Sequence, residues 1–498
     1  MSQVTQSQQR SRYKRIRVHN EEDIGRLYPL IIDYIREPEL ALCVKEFVFR
    51  SHLRQHETYL RKTDRPEVLR AEEDARDISH EHSISQLLAD LGFEGSERSD
   101  WVRILTWMKS ELVAARQEAL AADMRSYEVW PFYNRRDTLF AHHAAALLLM
   151  LCPNIETLKY EEGSRIVEDI LRRNNYGLFP KRHLQKLRDV TILPTSGMIM
   201  GDERFYINLD VLAMLRLFHR LPAIESVSTD GVGPNHDGGY TSEFPPATSN
   251  LKRIRIGHSS HGTDVLGPLI RVPRQLEEFT LTTGGRCIPG GGYIARSAAI
   301  IGKALYGHRS SLRKLDIDID EYISGDEPSD DEFSDEGDLA SENEWLDRDR
   351  EISTGPPTMA QVQSTREYGA TIGSMHDFDS LTHLSIGIGL LLGGCSWRVD
   401  ESQEAPFRLV DALPKSLEYL LIRGYERGKV ARYDGQIDEL LTLMGDRLPS
   451  LKEVHGINET IPISLSVKHP DQEEDKLWKP ETSNEGWVQV LRTSQALA

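Results

Sequence analysis

Two histidines separated by two serines are the first residues whose types and spacing could do chemistry. His258-Ser-Ser-His261 has the spacing of a metal-ligand pair, and its flanking glycines give it some likeness to a nucleophile turn. The stretch is not G-x-S-x-G, and the spacing supplies neither a third metal ligand nor a triad partner. We therefore predict a loop that follows a strand, with no catalytic residue and no metal site.

Two glycine-rich stretches raise the question of a phosphate-binding loop. Gly387-x-Gly389-x-x-x-Gly393 places its third glycine one residue late for a dinucleotide fingerprint. Neither this stretch nor GGRCIPGGG (284–292) continues into the Lys-Ser/Thr pair of a Walker loop. Both follow apolar runs, which favours tight turns off a strand and predicts no cofactor. Cys287 could be a reactive thiol, but no base is visible beside it, so an ordinary loop cysteine is favoured.

A recurring pattern of three apolar residues defines the elements that must carry these loops. In Leu381-Thr-His-Leu384-Ser-Ile386 the last two apolar residues are two apart, which is the strand period. Helix-period segments alternate with the copies of this pattern, which is the leucine-rich-repeat order of strand, turn, helix and turn. We predict an α/β leucine-rich-repeat-like solenoid with irregular repeats and parallel strands on its inner face. The copies begin at Val44, Ile155, Leu187, Ile224, Leu251, Leu276, Leu312, Leu381, Leu417 and Leu451, and the helical segments are 165–173, 209–221, 297–308 and 436–448.

Two insertions interrupt this rhythm. One is a helical insertion, and the other is acidic, rich in serine and glycine and poor in aliphatic residues, so we expect it to be disordered. The predicted order is a disordered N-terminus (1–14), a first helix–strand unit (15–65), the helical insertion (66–135), solenoid (136–319), the acidic insertion (320–370), solenoid (371–468) and a C-terminal tail (469–498).

Charge and composition limit the classes of function that the protein can have. The net charge is −18, but the segment 316–351 alone holds 17 acidic residues and two arginines, so the remainder is nearly neutral. No large basic surface follows, which disfavours nucleic acid as a partner. Four cysteines without a C-x-x-C pair, the lack of a secretory signal and the lack of a long apolar span predict a protein of the cytoplasm or nucleus with no membrane partner.

The inner face of the predicted sheet is the surface that could bind a protein. Residues that flank the middle apolar position of each copy should point outward from the sheet. They are polar and mixed in sign, which suits protein recognition, and by residue type Tyr419 and Arg253 are the expected hot spots. The candidate protein-binding residues are Arg253, Arg255, Glu278, Lys314, His383, Ser385, Tyr419 and Leu421, and the same rule adds Thr157, Lys159, Asp189, Thr191, Ser226, Ser228, Thr280, Asp316, Glu453 and His455.

Four serines of the acidic segment suit an acid-directed kinase of the casein-kinase-2 type. Three have Glu at the third position after them, and one is followed directly by Asp and Glu. Phosphates there would deepen the negative charge. A solvated linker that no kinase uses is the alternative. The candidate phosphorylation sites are Ser324, Ser329, Ser334 and Ser341.

The stretch RIRVHNEEDIGRLYPLIIDYIREPELALCVKEFVF (15–49), with phrases such as LPKSLEYLLIRG and CPNIETLKY, resembles a group of fungal F-box and leucine-rich-repeat proteins. The resemblance implies the substrate-recognition part of a cullin–RING ubiquitin ligase and, if an F-box exists, a ligase adaptor as partner. Only 14 residues precede Arg15, too few for the three helices of an F-box, and RLYPLIIDYI (26–35) is explained as well by a repeat-entry helix. The alternative is a scaffold or binding protein with no ligase link.

Overall fold

The computed structural model describes residues 13–54, 78–107, 135–194, 205–234, 244–284, 286, 296–319, 371–393 and 407–462. These residues form a mixed α/β fold around an 11-stranded sheet in the order β1-β2-β3-β4-β6-β8-β9-β10-β11-β12-β13, while β5 and β7 pair separately. The strands are β1 (Arg15–Asn20), β2 (Glu46–Arg54), β3 (Thr157–Glu161), β4 (Asp189–Leu193), β5 (Ile207–Asn208), β6 (Ser226–Asp230), β7 (Val232–Gly233), β8 (Arg253–Gly257), β9 (Glu278–Thr282), β10 (Lys314–Asp318), β11 (His383–Gly387), β12 (Tyr419–Arg423) and β13 (Glu453–His455).

Helices lie between most of the strands. Two of them begin at a serine whose hydroxyl accepts a bond from the backbone three residues on, Ser164 from Val167 and Ser297 from Ile300. The helices are α1 (Glu21–Arg36), α2 (Pro38–Ala41), α3 (Glu81–Asp90), α4 (Gly95–Leu105), α5 (Arg135–Leu151), α6 (Arg165–Asn175), α7 (Val211–Leu215), α8 (Thr263–Arg271), α9 (Ala298–Tyr306), α10 (Ile388–Leu392), α11 (Leu409–Ala412) and α12 (Ala431–Arg447), with a 3₁₀ turn at Ile78–His80.

The chain divides into two compact units, Met1–Ser196 with Ala213–Val227, and Gly197–Leu212 with Ser228–Ala498. In the first unit α1 packs on α5, and α5 also contacts β2. In the second unit α8 packs on α9, and α11 packs on α12. Helices also contact strands in each unit, α5 on β2 in the first and α10 on β11 in the second, as expected of short strands that cannot bury an apolar face alone.

Each of the ten apolar copies contains a strand, and from β2 to β4 and from β8 to β13 neighbouring strands pair in parallel with equivalent positions opposite each other. Ile254, Phe279, Leu315, Leu384 and Leu420 form one such buried row across β8 to β12. The row arises because the middle apolar residue of every copy points to the same side of the sheet. The predicted parallel α/β arrangement is thus confirmed at the level of the sheet.

The sequence interpretation missed three strands, β1 and the short pair β5 and β7, and overextended one helix. β1 precedes α1, so the first unit of the array is strand–helix–strand and not helix–strand; Ile16 and Val18 are buried and lie opposite Phe47 and Phe49 of β2. The helix expected over 209–221 ends at Leu215, because backbone bonds of the i to i+3 type then tighten the chain into turns.

Several predicted features concern residues that the structure does not describe. These are the disordered termini except for Tyr13 and Lys14, and the acidic insertion with Ser324, Ser329, Ser334 and Ser341. Of the predicted helical insertion, the structure describes 78–107 and the first residue of α5, and it places α3 and α4 there.

Candidate functional site

The outward-facing side chains of β8 to β13 form two parallel rows, which we call the polar face. Parallel pairing aligns the residue before the buried middle position in each strand, and separately the residue after it. All eight predicted protein-binding residues belong to these rows, so the sheet brings them together. The first row is Arg253, Glu278, Lys314, His383, Tyr419 and Glu453, and the second is Arg255, Thr280, Asp316, Ser385, Leu421 and His455.

Charges on the polar face pair along the rows. Lys314 Nζ lies 3.8 Å from Glu278 Oε1, with both side chains more than a third exposed. Such an exposed ion pair contributes about 0–1 kcal/mol to stability. Arg255 is exposed and makes no ion pair with any residue that the structure describes. The face therefore offers a partner mixed charges that are only loosely held by the protein itself.

A row of three aromatic rings crosses the last three strands, and we call it the aromatic row. The His383 and Tyr419 rings are stacked with centroids 5.8 Å apart, and the His455 ring lies 5.3 Å from Tyr419 in a tilted arrangement. His383 is exposed, whereas Tyr419 and His455 are half-buried. Burial raises the pKa of the Tyr419 phenol above its usual range, so the hydroxyl stays a neutral donor. His383 and Tyr419 lie opposite each other on adjacent strands, whereas His455 lies opposite Leu421 and approaches Tyr419 diagonally.

One predicted residue differs from the others, since Leu421 is only 8% exposed. It belongs to the second row but offers a partner little surface. The simple rule that flanking positions point outward ignores shielding by longer neighbours on the same face.

Arg423 is a residue of this face that the sequence interpretation missed. It lies two residues after Leu421, and its guanidinium reaches Ser385 Oγ at 3.2 Å and Asp316 Oδ1 at 3.4 Å. The Arg423 side chain is 17% exposed, so these bonds are partly shielded from water. Extending the strand alternation by one more position would have found it, because the rule was applied only to the two residues next to the middle apolar position.

The two histidines of the H-x-x-H stretch lie in different environments after β8. His258 adopts a left-handed conformation with φ of 43°, and its Nδ1 lies 2.7 Å from Asp230 Oδ1. His261 is fully buried, and burial lowers the pKa of its imidazole to about 3. Within the described ranges no three His, Cys, Asp or Glu side chains are grouped so that they could hold a metal ion. The stretch is a turn after a strand, as its sequence favoured.

The glycine-rich stretches also turn the chain off the sheet where the structure describes them. Gly284 follows β9 with φ of 92°, and Gly393 ends the short helix α10 with φ of 76°. These left-handed conformations favour glycine because it lacks a Cβ. Cys287 and Cys395 lie outside the described residues, so the reactivity of Cys287 stays an open alternative.

Comparisons with models of protein families, with curated proteins and with solved structures gave no match. In the described portion of the chain, no helix has both the length and the apolar character needed to cross a lipid bilayer.

Proposed function

We propose that this protein binds another protein through the polar face and is not an enzyme. The observation that carries the proposal is the aromatic row, three rings held at 5.8 and 5.3 Å by adjacent strands and flanked by mixed charges. Aromatic and arginine side chains dominate binding energy in protein interfaces. Rings that are already positioned lose little conformational freedom on binding, which favours affinity.

We further propose that the strand–helix units form a leucine-rich-repeat solenoid, with the polar face as its concave side. Ten copies of one apolar pattern, each with a strand and paired in parallel register, support this fold. We propose the cytoplasm or nucleus as its location.

A photo-crosslinking amino acid at position 419 tests the binding proposal directly. In lysate of a filamentous fungus, we expect discrete crosslinked proteins at position 419, identified by mass spectrometry. Unlabelled wild-type protein should compete for them, and Tyr419→Ala protein should compete at least 10-fold less well. The matched control is the same amino acid at position 441, because Leu441 is an exposed apolar residue of α12. Identical products at both positions would refute recognition through the polar face.

A link to ubiquitin ligases, which the family resemblance implies, ranks second to a plain binding or scaffold role. The helix that holds RLYPLIIDYI is built into the first unit, where Leu27 and Ile31 are buried. These side chains are used by the core, which favours a repeat-entry helix over an adaptor-binding F-box. A pull-down with purified ligase adaptor separates the two roles. Recovery of the adaptor would establish the ligase link, and its absence would favour the scaffold.

A further inference from the structure

A buried arginine lies just beyond β9 in the second unit. Arg286 is 8% exposed, donates Nη1 to the Phe205 carbonyl at 3.3 Å, and leaves Nε without an acceptor. No carboxylate of a described residue pairs with it, and Asp230, next to Gly231, is engaged by His258 at 2.7 Å. A buried guanidinium charge is costly unless an anion and several acceptors compensate it. Arg286 therefore requires an anion that the described residues do not supply.

Two neutral polar side chains in the same part of the fold also lack partners. His261 is fully buried, and neither of its ring nitrogens is hydrogen-bonded to a described residue. The Ser260 hydroxyl is buried in the same way without a partner there. Buried polar groups in native proteins are nearly always satisfied, so this group of donors points to a polar ligand.

Arg286 and Ser260 lie close to the backbone of residues 231–233, and His261 follows Ser260 in the chain. A Cβ at Gly231 would lie 2.5 Å from the Arg286 guanidinium, and a Cβ at Gly233 would lie 2.5 Å from Ser260 Oγ. The Ser260 amide donates to the Val232 carbonyl at 3.0 Å, which ties Ser260 to this backbone. Glycine at both positions thus allows the two donors to approach the backbone closely.

Arg296 positions the loop that carries Ser260 and His261. It is 1% exposed, and it donates Nε to the His261 carbonyl at 2.8 Å and Nη2 to the Ser259 carbonyl at 3.0 Å. These bonds fix the backbone on both sides of Ser260. Arg296 therefore acts through the loop, as a positioning residue.

We propose that Arg286, Ser260 and His261 bind an oxyanion of the phosphate type at the carboxyl edge of β6, β8 and β9. The guanidinium supplies charge, while the hydroxyl and the neutral imidazole each supply one donor to an anion with several acceptor oxygens. Ligands of parallel α/β sheets commonly bind at this edge of the strands. The site is independent of protein recognition by the polar face, and neither proposal depends on the other.

Titration of the full-length protein with inorganic phosphate tests this site. Isothermal titration calorimetry, at ionic strength held constant with chloride, should show saturable binding at one site per chain. Arg286→Met should weaken phosphate binding about 10- to 100-fold, the range expected for losing a charged hydrogen-bonding group. The matched control Arg255→Met, at an exposed arginine of the polar face, should leave the affinity unchanged.

A second variant and a second anion complete the test. Should Arg286→Met fail to fold, Ser260→Ala retains the charge and should weaken phosphate binding about 5- to 10-fold for a lost neutral donor. Acetate distinguishes a tetrahedral from a planar oxyanion, and tighter binding of acetate than of phosphate would overturn the phosphate assignment. A lack of saturable phosphate binding would overturn the proposal, as would equal loss in Arg255→Met.

Discussion

The polar face and the carboxyl edge of the second unit use the same strands in opposite ways. On the polar face, charges such as Lys314 and Glu278 are exposed and pair with neighbours at 3.8 Å. At the carboxyl edge, Arg296 and His261 are almost fully buried. A group that loses its hydrogen-bond partner there has no water to replace it. The difference teaches that exposed positions along a strand are available to a protein partner, while the buried residues that follow the strand also stabilise the fold. Substitutions should therefore cost stability at the edge and binding on the face.

The largest expected effect on stability is that of Arg296→Met. The change removes two donors to the buried carbonyls of Ser259 and His261, which would remain unpaired. We expect the free energy of unfolding to fall by about 3–5 kcal/mol, as when one partner of a buried charged contact is lost. Urea unfolding followed by circular dichroism measures it. Arg255→Met, at an exposed arginine, is the control and should change stability by less than about 0.5 kcal/mol. Equal losses in the two variants would erase the contrast between edge and face.

Two glycines with left-handed backbone separate steric crowding from backbone strain. Gly456, just after β13, has φ of 81°, and a Cβ there would lie 1.8 Å from the Ile422 carbonyl oxygen. Gly428 has φ of 86° but nothing within 4 Å of its Cβ position. We expect Gly428→Ala to cost about 1 kcal/mol from strain alone. Gly456→Ala should cost about 2–3 kcal/mol because the backbone must also shift.

Thermal unfolding of the two alanine variants side by side checks this pair. A loss in Gly428→Ala as large as that in Gly456→Ala would mean that strain, and not the close approach of β12 to the turn after β13, sets the cost.

Acid should weaken the carboxyl edge through His261. Burial lowers the pKa of His261 to about 3, whereas an unfolded histidine has a pKa near 6.5. Between these values the unfolded state binds more protons, so stability is greatest above about pH 6.5 and falls as the pH drops toward 3. We expect His261 to contribute a loss of about 1.4 kcal/mol between pH 7.5 and 5.5.

Urea unfolding of wild type and His261→Gln at several pH values, in phosphate-free buffer, measures this contribution. The variant should lose stability less steeply with acid than wild type does. If the free energy of unfolding of the variant differs from that of wild type by the same amount at every pH, the imidazole contributes only packing.

The sheet and its register could be predicted from the sequence, because each copy repeats the same apolar spacing and the strand period fixes which side chains share a face. The first strand could have been predicted as well, since Ile16 and Val18 alternate with arginines, but the basic residues obscured it. The buried donors of the carboxyl edge could not be predicted from the sequence. Arg286, Arg296 and His261 lie outside the repeated apolar pattern, and their burial depends on how the chain packs after the strands, which no local spacing encodes.

The smallest expected effects on stability are those on the polar face, where binding should carry the signal. Tyr419→Ala removes a half-buried ring that is stacked on His383 and near His455, and such aromatic contacts contribute about 0.5–1.5 kcal/mol. Lys314→Ala removes an exposed ion pair and should change stability by about 0.5 kcal/mol or less. Thermal unfolding measures both, and competition with the product crosslinked at position 419 measures binding. Because an interface hot spot is defined by binding and not by folding, Tyr419→Ala should lose at least 10-fold in competition. A Tyr419→Ala protein that competes as well as wild type while losing several kcal/mol of stability would make the ring part of the core, and would move recognition away from the aromatic row.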